Sequence, residues 1–151
     1  MPEQATSTEI ELRASCACLN FRMAARSLTQ MYDAYLAPAG IRATQFSILS
    51  AVAFKEPVAL GQLAELLVMD RTTLTRNLKP LERHGLVLGE RAADDGRRRD
   101  LRLSAAGHEL LQRALPLWHQ AQSRFIDGFG RERWRLLRGV LGEVTELARN
   151  G

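Results

Sequence analysis

Leu74, Leu78 and Leu81 recur at helical spacing and mark one narrow buried stripe along a helix that opens at Asp70 and closes near Gly85. Asp70 suits the N-cap because its carboxylate accepts from the open N–H groups of the first turn, and Gly85, after His84, suits the C′ position. Just upstream, Leu63, Ala64, Leu66 and Leu67 predict a compact helix over residues 62–67, joined to the longer one by Val68, Met69 and Asp70. Downstream, residues 86–91 and 99–103 read as strands flanking Asp94, Asp95, Gly96, Arg97 and Arg98, and the Asp-Gly pair is a hairpin-turn signal. Residues 58–60 supply a short third strand.

The flanking segments keep a helical period. One long helix is expected over residues 9–37, with Ala14, Cys18, Phe21, Ala25, Leu28 and Tyr32 in one row and Ala17, Phe21, Ala24, Leu28, Met31 and Tyr35 in a second, ended by Pro38 and Gly40. Thr44 is the expected N-cap of a helix to residue 54, with Phe46, Leu49, Val52 and Ala53 facing the core. Ser104 caps a helix to residue 128, with Leu110, Leu111, Ala114, Leu117, Trp118, Ala121 and Phe125 apolar and a bend at Pro116. The last helix, 131–149, aligns Trp134, Leu137, Leu141, Val144 and Ala148. The expected fold is mainly α with a small β-wing. It is a single domain over 1–151, with a helix-turn-helix lobe at 44–103 and helical arms at 9–37 and 104–150.

Charge turns this outline toward nucleic acid. On the longer helix, Arg71, Thr72, Thr73, Thr75, Arg76, Asn77 and Lys79 carry donors, acceptors and positive charge, with no carboxylate before Glu82, which suits a DNA major groove. A solvated basic helix is the alternative; a short bracing helix and tight turn before it favour DNA. Arg97, Arg98 and Arg99 at the hairpin tip suit a narrow minor groove, against the alternative of a solvated tip with an Asp95 to Arg97 turn contact. The formal net charge is +4, and the excess clusters in these two stretches.

With 46% hydrophobic and 25% charged residues, the 151-residue chain has the composition of an ordinary globular domain. No stretch approaches the roughly 20 apolar residues of a membrane span, and residues 2–11 carry acids rather than a basic-then-apolar leader. A cytoplasmic protein with no membrane role is expected.

The stretch over residues 60–104 resembles the winged helix-turn-helix of the MarR family of bacterial transcription regulators. The resemblance rests on the wing pattern Asp95, Arg97 and Leu103-Ser104, and on the phrase Asp70-Arg71-Thr72-Thr73-Leu74-Thr75-Arg76. It covers nearly the whole chain, because the flanking helices fit in order. It implies base or phosphate contacts from Thr72, Thr73, Thr75, Arg76, Asn77 and Lys79 beside Arg71. It also implies a minor-groove role for Arg97, held by Asp95 with Arg98 alongside. It further implies a homodimer built from the terminal helices, whose apolar content is high for a monomer. Two recognition helices then stand about 34 Å apart on a pseudo-palindromic double-stranded operator. A monomer whose ends pack on each other is the alternative.

The expected activity is transcription regulation, as a repressor released by a small, often aromatic effector, with Phe21, Tyr32, Tyr35 and Phe46 as candidates for its cleft or as plain core. Within the family, the organic-hydroperoxide sensors carry a reactive Cys in the first helix, where this chain has Cys18, and a Tyr where it has Tyr32; Arg22 and Ala43 depart from that pattern. Cys18 therefore reads first as a small buried hydrophobe and second as a redox sensor, with Cys16 incidental. Two positions along one helix, the thiols point about 200° apart, which disfavours a shared metal unless the helix begins later.

Enzyme chemistry finds no support. His84, His108 and His119 are far apart, and no Gly-rich phosphate loop, nucleophile elbow or Cys/His cluster occurs, so no cofactor and no metal are expected. A non-specific coating protein needs stacking aromatics on its basic surface, and the basic stretches have none.

Overall fold

The computed structural model of the chain describes residues 7–150. The helices are α1 (Ser7–Ser15), α2 (Ala17–Leu36), α3 (Ala43–Lys55), α4 (Leu60–Leu67), α5 (Arg71–Arg83), α6 (Ala105–Phe129) and α7 (Arg131–Asn150). A 3-10 turn over Ala37–Ala39 follows α2. The strands β1 (Val58–Ala59), β2 (Val87–Arg91) and β3 (Arg99–Leu103) form one antiparallel sheet in the order β1-β3-β2. Leu101 pairs with Val58 on one side and Gly89 on the other, so β3 ties the hairpin to the body.

The core lies in the lobe over α3 to β3 and the first half of α6. Ile48, Leu49, Val52, Val58, Leu63, Leu74, Leu78, Leu81, Val87 and Leu101 are essentially inaccessible, and Leu36, Leu110 and Ala114 join the same cluster from the arms. The leucine stripe of α5 is therefore buried on the face the sequence selected. On α4, Leu63 and Ala64 are buried while Leu66 faces out. The arms are different. No residue of α7 is buried, and Ile10, Leu12, Phe21, Met23, Leu136, Val140 and Leu147 are exposed in the single chain.

Two expectations are corrected. The helix over 9–37 is two helices: Cys16 has extended backbone (φ −70°, ψ 106°), and its Sγ accepts from the Leu19 N–H at 3.4 Å. The Asn20 amide donates to the Arg13 carbonyl at 3.1 Å and to the Cys16 carbonyl at 2.9 Å, supplying the break with hydrogen bonds that the ladder gives up. Cys16 is thus a cap rather than incidental. Second, α3 begins at Ala43, so Thr44 lies inside it; the first-turn donor is satisfied from another helix, Asp33 Oδ1 accepting from the Ala43 N–H at 2.7 Å. The helix α6 runs continuously from Ala105 to Phe129 with Pro116 inside it.

Short polar links join arms to lobe. Glu56, just past α3, accepts from the Leu103 N–H at 2.8 Å and pairs with His108 of α6 at 2.9 Å. Ser104 Oγ donates to the Gly85 carbonyl at 2.5 Å and accepts from the Gly107 N–H at 3.0 Å. Gly107 permits this junction, since a Cβ there would stand 2.1 Å from the Leu86 carbonyl oxygen.

Val68, which ends α4, has φ 52° in the left-handed region, costly for a β-branched residue. The strain is held by hydrogen bonds from the Val68 N–H to Glu65 O at 3.2 Å and from the Met69 N–H to Ala64 O at 2.9 Å. Val68→Gly is expected to stabilise the fold by about 1 kcal/mol, read as a rise in the urea midpoint at unchanged slope; a lower midpoint would show that the exposed Val68 side chain contributes more than its backbone strain removes.

Candidate nucleic-acid interface

The surface expected to face DNA begins with the cap of α5. Asp70 Oδ1 accepts from the Thr73 N–H at 2.8 Å and Oδ2 from the Thr73 hydroxyl at 2.6 Å. These bonds hold the Asp70 carboxyl below the usual carboxylate range. The Thr73 hydroxyl is thereby engaged within the helix. So is Asn77, whose amide donates to the Thr73 carbonyl at 2.9 Å.

The other five predicted positions, Arg71, Thr72, Thr75, Arg76 and Lys79, line one open groove along the outer face. Their spacing places them on one continuous face that adjoins the leucine stripe at Arg71 and turns away from it toward Arg76. No carboxylate lines that groove, so its donors face solvent against uncompensated positive charge.

The hairpin tip divides the three arginines. A turn closes where the Arg98 N–H donates to the Asp95 carbonyl at 2.9 Å, and Asp95 Oδ1 accepts from the Arg97 N–H at 3.0 Å. Asp95 therefore shapes the backbone under Arg97. The Arg98 guanidinium is held by Asp94 at 2.9 Å and Asp100 at 3.1 Å, and the hydrogen bond to Asp100 and the two negative charges raise its pKa further. Arg99 reaches back to Glu82 on α5. Arg97 is exposed and enters no ion pair among the described residues. The sequence offered three equivalent arginines; Asp94, Asp100 and Glu82 leave one of them uncompensated.

A second site lies where α2, α3 and α6 meet. Tyr32 and Phe46 line a cavity of about 190 Å³ with Leu28, Thr29, Ser47 and Trp118. Phe46 and Trp118 stack with centroids 6.0 Å apart and planes 14° apart. The Tyr32 hydroxyl donates to Gln122, and burial raises its pKa. Phe21 and Tyr35 are not part of this lining. Trp118 is the residue sequence reasoning placed only in an apolar row; its spacing was the sole signal, and the packing of α6 on α3 gives it its place.

In the single chain Cys18 is exposed and Cys16 partly so. His108 pairs with Glu56, and His119 sets its ring edge against Trp118 at 5.0 Å. Among the described residues no helix is long and apolar enough to cross a membrane.

Comparison with known proteins agrees with this geometry. The profile of the MarR family matches residues 39–98, from the turn after α2 into the hairpin tip. The transcriptional regulator HosA of Escherichia coli O157:H7 is 32% identical over 92 residues, which cover 61% of this chain and 68% of HosA. The transcriptional regulator MosR of M. tuberculosis, solved with DNA, aligns over 89% of this chain and 99% of its own with TM-score 0.79 and 39% identity. The PcaV regulator from Streptomyces coelicolor, solved with its natural ligand, shares the fold at TM-score 0.81 and 19% identity, over 89% of this chain and 95% of its own. The chain belongs to the MarR family of DNA-binding transcriptional regulators.

Proposed function

We propose that two copies of this chain form a homodimeric repressor that reads a pseudo-palindromic operator and leaves it when a small effector binds. The observation that carries the DNA part is the continuous face of Arg71, Thr72, Thr75, Arg76 and Lys79, free of carboxylates, beside the uncompensated Arg97. In this reading the five α5 side chains enter the major groove and Arg97 the adjacent minor groove. Thr73, Asn77, Asp95 and Arg98 hold the shape that presents them. The MosR complex with DNA supports the assignment.

The exposed apolar residues of α1, α2 and α7 support the dimer, since their burial against a second copy removes a surface that the single chain leaves in water. The cavity at Tyr32, Phe46 and Trp118 lies between these arms and the lobe. It is below the roughly 300–1,000 Å³ of drug-sized sites, so its occupant is a small aromatic compound or widens it on entry. By binding one arm-to-lobe arrangement better than the other, such a compound shifts the separation of the two α5 helices. A regulatory role with no enzymatic step, in the cytoplasm, follows from the same reading.

A thiol-based alternative has one observation in its favour, the exposure of Cys18 near the break at Cys16. An equivalent of organic hydroperoxide is then expected to release DNA from the native protein and not from Cys18→Ser; equal release from both removes the alternative. For the main reading, Arg97→Ala is expected to weaken operator binding and lower the slope of log K against log salt by about one. Titrations by fluorescence anisotropy at several salt concentrations check this, and an unchanged slope and affinity would remove Arg97 from the interface.

A further inference from the structure

We infer that Gly61 is a positioning residue for DNA binding, the seat on which the Arg71 guanidinium is held ready. The inference rests on the reading of Arg71 as a DNA contact. Gly61 occupies the second position of α4, where glycine is a poorer helix former than alanine, and its backbone lies outside the left-handed region. Conformation therefore gives no reason for a glycine here. Space does. A Cβ on Gly61 would stand 2.9 Å from Arg71 Nη2, 3.6 Å from Cζ and 3.8 Å from Nε, so the guanidinium lies across the site a side chain would occupy.

The seat places Arg71 at a junction. The same side chain lines the groove of α5 with Thr72, Thr75, Arg76 and Lys79, and the cleft toward the wing with Gln62, Glu65, Arg98 and Asp100. Yet Arg71 forms no ion pair among the described residues. Arg98 and Arg99 of the wing are held by carboxylates; Arg71 is held by shape. Its position is restricted without neutralising its charge or occupying its donors, which stay open for a phosphate or a base edge. Because the obstructed atoms belong to a flexible side chain rather than to backbone, an added methyl displaces Arg71 and leaves the helix intact.

The test is a double-mutant cycle on the full chain, measuring affinity for a labelled duplex that the native protein selects from random-sequence DNA. Gly61→Ala is expected to keep or raise the melting temperature and to weaken binding about three- to tenfold, the scale of re-ordering one rotamer-rich side chain. In an Arg71→Ala background it is expected to change nothing further, and Gly61→Ser is expected to repeat both results. Equal weakening in both backgrounds, a neutral Gly61→Ala, or a fall in melting temperature overturns the inference. If Arg71→Ala alone leaves binding unchanged, the reading of Arg71 as a contact fails first; if it weakens binding while Gly61→Ala does not, the seat alone fails.

Discussion

The burial of Leu74, Leu78 and Leu81 fixes the rotation of α5, and everything the interface does depends on that angle. Each side chain is at most 1% exposed, and burying a leucine contributes about 1.5–3 kcal/mol. Turning α5 by one residue, about 100°, would move all three out of the core together. The same rotation sets Arg71, Thr72, Thr75, Arg76 and Lys79 outward as one row. Packing thus selects which side chains the proposed reading brings to DNA, and the cap at Asp70 fixes where the row begins.

The lobe was readable because its signals are local. A leucine period, an N-cap carboxylate three residues before the N–H it accepts from, and strands on either side of Asp95-Gly96 need no distant partner to interpret them. The family phrase at the wing supplied the rest. What sequence reasoning missed depends on contacts between elements. Thr44 looked like a cap, but Asp33 of α2 caps α3 from outside. Three adjacent arginines looked alike, and only the fold shows Glu82 of α5 beside Arg99. The break at Cys16 interrupts no apolar row, so periodicity ran through it; the amide of Asn20, folded back onto two carbonyls, was the unread signal. Of the four aromatic candidates for an effector cleft, Tyr32 and Phe46 line one cavity and Phe21 and Tyr35 do not; apolar spacing, the feature they shared in sequence, carries no position in space.

Arms and lobe are coupled by few bonds, each at an element end. Glu56 takes the Leu103 N–H of the wing strand with one oxygen and His108 of α6 with the other. Ser104 ties the turn that closes α5 to the opening of α6. A shift of α6 against the lobe therefore acts on the wing and on α5 at their roots. The aromatic cavity lies on the same boundary, and this is the physical basis for placing an effector there.

The central claim is that α5 reads DNA as one of a rigidly spaced pair. It is tested most directly by measuring the stoichiometry and affinity of the protein on a selected operator whose two half-sites are moved apart. The account predicts two chains per duplex and a loss of affinity when about five base pairs, half a helical turn, are inserted between the half-sites. One chain per duplex with affinity indifferent to the insertion would contradict it.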